Sequence, residues 1–195
     1  MPTIEDRLFV TLPNLITIGR LILVPLVVWL IASNMTAWAF IAFVIAGISD
    51  GVDGFIAKRF DLSSELGAYL DPIADKALLV SIFVALGLQE EIPIWLVIMV
   101  VSRDLLIVGA FILSYLLDQP MTPKPLWVSK GNTVFQILLA ATVLADLGFD
   151  IGMTVIRMVL VSIVAALTAM SAAAYLVGWI RHMGGITTDG EKHQG

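Results

Sequence analysis

The amino-acid sequence predicts an all-α integral membrane protein with six transmembrane helices and both termini on the cytoplasmic side. Of its 195 residues, 59% are hydrophobic and 14% are charged, whereas a soluble domain has about 45–50% apolar and about 25% charged residues. Six apolar stretches are each long enough to cross a bilayer, which takes about 20 helical residues. Since their connections are short, we expect one membrane domain, residues 1–183, and a disordered tail, residues 184–195.

A short amphipathic helix is predicted before the first span. Ile4, Leu8 and Leu12 recur every four residues with charged residues between them, which is typical of a helix lying on the membrane surface. An unstructured segment is the alternative. The six spans themselves are predicted at Leu15–Asn34, Thr36–Lys58, Gly67–Leu88, Pro93–Leu117, Ser129–Asp146 and Met153–Arg181.

The charges of the connecting segments predict the orientation, because lysine and arginine accumulate on the cytoplasmic side. One set of segments holds the basic residues Arg7, Lys58, Arg59, Lys124, Lys130, Arg181 and Lys192. The opposite connections contribute the acidic residues Glu90, Glu91, Asp146 and Asp150. Both termini are therefore expected in the cytoplasm, and the protein in the cytoplasmic (inner) membrane.

Two classes of protein are excluded by composition. The chain contains no cysteine, which rules out disulfides, thiolate catalysis and iron–sulfur clusters. Its formal net charge is −5, so it offers no broad basic face for nucleic acid.

Four aspartates lie within predicted spans. Asp50 and Asp53 are near the end of the second span, and Asp71 and Asp75 are near the start of the third. Each unpaired charge at the centre of a membrane helix costs about 2.5–3.5 kcal/mol on insertion scales. Residues three or four apart share one face of a helix, so the two pairs can converge between antiparallel neighbours. A hard divalent cation relieves the repulsion of converging carboxylates, and we expect Mg²⁺ or Mn²⁺, with two ions.

Small residues accompany these aspartates. Gly54 and Gly67 remove side chains where the two helices approach each other and a ligand; ordinary helix packing is the alternative explanation for any one glycine. The pattern resembles the signature of the CDP-alcohol phosphatidyltransferase family, D-x-x-D-G-x-x-A-R, eight residues, then G-x-x-x-D-x-x-x-D. The matching residues are Asp50, Asp53, Gly54, Ala57, Gly67, Asp71 and Asp75.

One position departs from the signature. Lys58 stands where the family has arginine, so an ammonium group replaces the planar guanidinium that can bind phosphate through two hydrogen bonds. The adjacent Arg59 is an alternative source of that guanidinium. The resemblance implies the family's six-helix fold, a homodimer, and transfer of a phosphatidyl group from CDP-diacylglycerol to an alcohol with release of CMP.

The resemblance also implies roles for the motif residues. The aspartates Asp50, Asp53, Asp71 and Asp75 would hold the two metal ions, and Asp75 would be the catalytic base for the acceptor hydroxyl. Gly54 would leave room for the cytidine. The residues expected to bind CDP-diacylglycerol are Gly54, Ala57, Lys58 and Gly67.

Polar residues later in the chain should report on the acceptor. Ser129, Asn132, Thr133 and Gln136 follow a helical stripe, so we expect that face to point inward. Cations within the bundle favour a phosphate-bearing acceptor, bound by Arg20, Arg103, Lys130 and Asn132. Two alternatives stay open: Arg103 pairs only with an aspartate such as Asp104, and Arg20 extends to the lipid headgroups.

Two family branches use phosphate-bearing acceptors. One transfers the phosphatidyl group to glycerol-3-phosphate, and the other transfers it to phosphatidylglycerol, giving cardiolipin. The stretches 92–95, 102–104, 129–133 and Gln136 look more like the second branch. Inositol phosphate, serine and other alcohols are further alternatives for the acceptor.

Three other functional hypotheses explain fewer of these residues than a phosphatidyltransferase does. A membrane prenyltransferase also uses Asp-rich motifs, but on well-separated helices of a longer chain. An ion-coupled transporter would also carry intramembrane carboxylates, yet the aspartates here are offset towards the cytoplasmic side. The G-x-S-x-G match at 47–51 is attributed to chance, because a nucleophile elbow needs a strand, a turn and a partnering histidine.

Overall fold

The described part of the chain is a bundle of six α-helices. A computed structural model describes residues 19, 22–60, 65–116 and 127–190, with side chains over 19, 22–49, 76–109 and 127–178. The helices are α1 (Ile22–Ala32), α2 (Thr36–Phe60), α3 (Glu65–Leu88), α4 (Ile94–Leu116), α5 (Trp127–Phe149) and α6 (Thr154–Gly190).

The helix bounds test the apolar pattern directly. For the second to fifth predicted spans, both ends agree within three residues with α2 to α5. The last helix differs, since α6 continues nine residues past Arg181 to Gly190 and includes residues 184–190 of the expected tail. That stretch contains no proline to stop the helix. The predicted N-terminal amphipathic helix lies outside the described residues.

Three tight turns lie at one end of the bundle, which we call the short-turn end: residues 33–35, 89–93 and 150–153. Each turn has a non-glycine residue in the left-handed region, with φ of 57° at Asn34, 63° at Glu90 and 51° at Asp150. A left-handed residue stops the helical hydrogen-bond pattern. Gln89 Nε2 donates to the carbonyl of Ile31 at 2.7 Å, which places the end of α3 beside the end of α1.

An ion-pair cluster closes the same end. Arg157 Nη2 donates to Glu91 Oε2 at 2.7 Å and also to the Glu91 carbonyl at 2.7 Å. Its Nη1 donates to Asp146 Oδ2 at 3.3 Å. Asp146 Oδ1 accepts from the backbone N–H of Met153 at 2.7 Å. The start of α6 is therefore tied to the end of α5 and to the α3–α4 turn.

Helix α5 packs against α2, α3 and α6. Gly148 allows a close approach of the α5 and α2 backbones, because a Cβ there would lie 2.7 Å from Ala37 Cα on α2. Beside this contact, the rings of Phe40 and Phe149 pack edge to face with centroids 5.7 Å apart. The fully buried core includes Val27, Ile31, Ile82, Phe83, Leu86, Leu96, Leu139 and Leu144.

The surface of the bundle is apolar and part of its interior is polar. Val155, Leu105 and Met158 are 74%, 66% and 65% exposed, whereas Arg103 and Asn132 are 3% and 0% exposed. A soluble monomer rarely exposes large apolar patches, and membrane helices turn their ionisable residues inward. Two segments, Trp127–Phe149 and Thr154–Gly178, are long and apolar enough to cross a bilayer. These features are consistent with a membrane protein, while six spans and cytoplasmic termini stay predictions.

The contact at Gly148 can be tested by adding one methyl group. Gly148→Ala should lower the stability of the protein by about 1–3 kcal/mol, because its Cβ would meet the backbone of α2. Gly109→Ala is the matched control, since nothing lies within 4 Å of a Cβ there and alanine favours helix. Thermal unfolding in detergent measures both. Equal shifts for the two variants would contradict the close approach.

Candidate active site

The backbone places the four motif aspartates at matching depths in the bundle. Helices α2 and α3 are antiparallel, because the end of α3 lies beside the end of α1, which immediately precedes α2. Asp50 and Asp53 lie 14 and 17 residues from the start of α2, or about 21 and 26 Å along its axis. Asp75 and Asp71 lie 13 and 17 residues from the end of α3, or about 20 and 26 Å. Both pairs therefore occupy the half of the bundle remote from the short-turn end.

The other motif residues belong to the same two helices. Their side chains, like those of the four aspartates, lie outside the described residues, as does the whole of Arg20. These residues are Gly54, Ala57, Lys58 and Gly67.

Two buried polar side chains, on α5 and α6, lie at a similar depth. Asn132 is 17 residues from the end of α5, and Thr168 is 14 residues from the start of α6, which corresponds to about 26 and 21 Å from the short-turn end. We call this group the polar cluster. Its members are Arg103 and Asp104 on α4, Ser129, Asn132 and Gln136 on α5, and Thr168 and Ser171 on α6.

Arg103 is the centre of the polar cluster. Its Nε and Nη2 donate to Ser171 Oγ at 3.1 and 2.8 Å. Its Nη2 also donates to Ser129 Oγ, and its Nη1 donates to Asp104 Oδ1 at 2.6 Å. One buried guanidinium therefore joins α4, α5 and α6. Four of the five N–H groups are used by these bonds, and one Nη1 hydrogen has no partner within the described ranges.

Two side-chain amides of α5 have fewer hydrogen-bond partners than Arg103 among the described residues. Asn132 Oδ1 accepts a hydrogen bond from Thr168 Oγ1 at 3.1 Å. The amide nitrogens of Asn132 and Gln136 are buried and have no hydrogen-bond partner in the part of the chain that the structure describes. A buried donor without a partner costs about 1–3 kcal/mol. These two nitrogens are donors available to a hydroxyl or phosphate oxygen.

The predicted acceptor residues are found in different environments. Arg103 and Asn132 both lie inside the bundle, in the polar cluster. Lys130 is exposed, with its Nζ 5.6 Å from the centroid of the Trp127 ring. The pairing of Arg103 with Asp104, considered from sequence as an alternative, is present.

The predicted inward stripe of α5 is wrong at one residue. Ser129, Asn132 and Gln136 face the interior, whereas Thr133 is exposed. The Thr133 hydroxyl is satisfied by its own helix, since it donates to the carbonyl of Ser129 at 3.3 Å.

Sequence reasoning missed the contributions of α6. Thr168 and Ser171 are 1% and 0% exposed and bond to Asn132 and Arg103. Their three-residue spacing within the otherwise apolar stretch 163–174 was the available signal, because such a pair shares one face.

Metal ligands can be sought among the described side chains. Over 22–49, 76–109 and 127–178, no three or more His, Asp or Glu residues are grouped so as to hold a metal ion. The four motif aspartates are therefore the candidates. Carboxylate oxygens are the donors that hard divalent cations prefer, so this residue set suits Mg²⁺ or Mn²⁺.

Comparison with known proteins agrees with the motif. The sequence profile of the CDP-alcohol phosphatidyltransferase family matches residues 10–170. The chain belongs to this family. The match includes α1 to α5 and both aspartate pairs, as well as Thr168 of α6.

Individual relatives are named for two different transferase reactions. The chain is 36% identical to a cardiolipin synthase (CMP-forming) / mitochondrial hydrolase fusion protein of Schizosaccharomyces pombe, over 89% of this chain and 32% of that one. It is 34% identical to cardiolipin synthase (CMP-forming) of Rattus norvegicus, over 85% and 60%. It is 35% identical to the chloroplastic CDP-diacylglycerol--glycerol-3-phosphate 3-phosphatidyltransferase 1 of Oryza sativa, over 86% and 56%. The chain thus spans less than two thirds of the length of each of these relatives.

The bonds to Arg103 predict a cost for removing Ser171. Ser171→Ala takes away the oxygen that accepts from Nε and Nη2 of a buried cation. The expected loss of stability is about 1.5–3 kcal/mol, the range for hydrogen bonds to charged groups. Ser162→Ala on the same helix is the control, because that exposed hydroxyl donates to the Met158 carbonyl of its own helix and its loss should change stability by less than about 0.5 kcal/mol. Similar melting temperatures for the two variants would argue against the Arg103–Ser171 bonds.

Proposed function

We propose that the chain is a metal-dependent phosphatidyltransferase that moves the phosphatidyl group of CDP-diacylglycerol to phosphatidylglycerol, a CMP-forming cardiolipin synthase. The observation that carries the proposal is the matching depth of the two aspartate pairs on antiparallel helices. Family membership and the names of two relatives support it.

The reaction is a displacement at the phosphatidyl phosphorus. The hydroxyl oxygen of the acceptor forms the new P–O bond, the bond from this phosphorus to the bridging oxygen of the pyrophosphate breaks, and CMP leaves. Divalent ions held by Asp50, Asp53, Asp71 and Asp75 would stabilise charge on both the attacking and the leaving oxygen. Asp75 accepts the hydroxyl proton as general base, a contribution of roughly 10²–10⁴-fold.

The donor site is proposed on α2 and α3. Gly54 leaves space for the cytidine, and Gly67 allows α3 to approach the nucleotide. Lys58 attracts the pyrophosphate as a point charge. Ala57 lies one turn from Gly54, so together they present a small-residue face.

The acceptor site is proposed beside the polar cluster. One Nη1 hydrogen of Arg103 and the amide nitrogen of Asn132 have no partner among the described residues, and both are suited to a phosphate or hydroxyl oxygen. The exposed Lys130 adds a positive charge at the start of α5, and Arg20 would add another.

Membrane placement follows from the charges of the connecting segments. Basic residues accumulate in the segments next to the aspartate-bearing half of the bundle, and acidic residues accumulate at the short-turn end. By the positive-inside rule, we place the reaction near the cytoplasmic face of the inner membrane, with six spans and both termini inside. A homodimer is proposed from the family resemblance.

Glycerol-3-phosphate is the second candidate acceptor. The Oryza sativa relative, which is named for that acceptor, matches this chain at 35% identity. Both acceptors carry one phosphate and a free hydroxyl, so cations in the acceptor site fit either.

An acceptor assay decides between the two. Purified protein in detergent, supplied with labelled CDP-diacylglycerol and Mg²⁺ or Mn²⁺, should release CMP and form cardiolipin when phosphatidylglycerol is added. With glycerol-3-phosphate alone, we expect turnover lower by tenfold or more, about 1.4 kcal/mol in transition-state free energy. Identification of the lipid product distinguishes the two reactions. Preferential formation of phosphatidylglycerophosphate would assign the chain to the second candidate.

The proposed role of the aspartates can be tested with substitutions that keep the size of the side chain. Asp71→Asn and Asp50→Asn should each abolish transfer, because the amide keeps the side-chain volume and loses the charge that balances the metal. Insertion and melting temperature should be close to those of the unmodified protein. Asp150→Asn, a carboxylate exposed in a turn at the short-turn end, is the control and should keep its activity. Transfer near the wild-type rate in the Asp71 variant would rule out its assigned role.

A further inference from the structure

We propose that Asp104 is a positioning residue for phosphatidyl transfer: by pairing with Lys76 it fixes the orientation of the aspartate-bearing half of α3 against α4. This inference rests on the function proposed above and concerns two residues outside the motif.

The pair is part of a continuous polar connection. Asp104 Oδ1 lies 2.6 Å from Arg103 Nη1 and 3.6 Å from Lys76 Nζ. One carboxylate oxygen is therefore shared by a cation of α4 and a cation of α3. Through Arg103, the connection continues to Ser129 on α5 and Ser171 on α6. Lys76 thus joins α3 to a network that spans the three following helices.

Lys76 lies next to the residue assigned as base. It follows Asp75 directly within the unbroken helix α3. Around a helix axis, the positions of Asp75 and Asp71 lie about 100° and 140° from that of Lys76. Because the helix backbone turns as a unit, an ion pair that directs Lys76 towards α4 also fixes the direction of the face that carries both aspartates.

Apolar packing holds the part of α3 between Lys76 and the short-turn end. Its buried apolar residues there include Leu78, Ile82, Phe83 and Leu86. Along the helix, Lys76 therefore lies between this packed stretch and the motif aspartates. A contact here controls the axial rotation of the motif more directly than one near the short-turn end.

The pair contributes little to global stability. The Lys76 side chain is 43% exposed and the Asp104 side chain 14% exposed, and an ion pair with an exposed partner adds little to the free energy of unfolding. Catalysis is more sensitive, since a displacement of about 1 Å at reacting groups can cost about 10²-fold in rate. Loss of the pair should therefore lower the rate without unfolding the protein.

A double-mutant cycle tests the proposal. It compares kcat in Lys76→Met, in Asp104→Asn and in the variant that carries both changes. Each single variant should lower kcat by about tenfold or more, with KM for either substrate changed less than about twofold. The double variant should be no slower than the slower single variant, because both changes break one interaction. Lys76→Arg, which keeps the charge, should restore most of the rate.

Glu91→Gln provides the matched control. It removes the 2.7 Å pair with Arg157 at the short-turn end, so it should lower the melting temperature and leave kcat within about twofold. An equal loss of kcat in this variant would show that general stability explains the effect, and would overturn the positioning role.

Other results are equally decisive. The proposal would be overturned if Lys76→Met kept the wild-type kcat, or if the losses of the two single variants multiplied in the double variant. A Lys76→Met variant that changed only the KM for the acceptor would also overturn it, because Lys76 would then be a direct ligand of the acceptor. If Asp104→Asn fails to fold, Lys76→Met decides alone, since it leaves the Arg103–Asp104 bond in place. An unmodified protein that releases no CMP would instead refute the proposed function, and the positioning role with it.

Discussion

The need to compensate charge inside an apolar bundle governs the arrangement of this protein. Arg103 is 3% exposed, and burying an unpaired guanidinium would cost several kcal/mol. Its bonds to Asp104, Ser129 and Ser171 supply the compensation. Since these partners belong to three helices, satisfying one cation also fixes the relative positions of α4, α5 and α6.

The two halves of the bundle differ in the charged groups that they must compensate. At the short-turn end, Arg157 lies within 3.3 Å of carboxylate oxygens from Glu91 and Asp146, so both carboxylates have the same guanidinium as a partner within the protein. The other half holds four aspartates within 26 residues of sequence. The divalent cations proposed above would balance those charges.

The fold was predictable because its main constraint is local. A helix that crosses hydrocarbon must be apolar over about 20 residues, and this length rule located the ends of α2 to α5 within three residues. The end of α6 was missed because the rule concerns apolar length, whereas a helix can continue through polar sequence. The depth match of the aspartate pairs was also predictable, since it needs only antiparallel neighbours.

The partners within the polar cluster were harder to predict. Which side chain meets Arg103 depends on the rotation and spacing of three helices, and such tertiary contacts leave only a faint trace in the sequence, as at Ser171. Thr133 shows the limit of periodicity, because a threonine on a helix can satisfy its hydroxyl on its own backbone and face outward.

Pairing of Arg103 leaves an excess of positive charge around Asp104. Asp104 carries one negative charge, while Arg103 and Lys76 each carry one positive charge, so the three side chains together keep one unit of positive charge. Lys130, at the start of α5, adds a second. The charge of Arg103, which is buried, is screened less than that of the two lysines. The proposed role of Asp104 in orienting α3 is therefore compatible with the proposed acceptor that carries a phosphate.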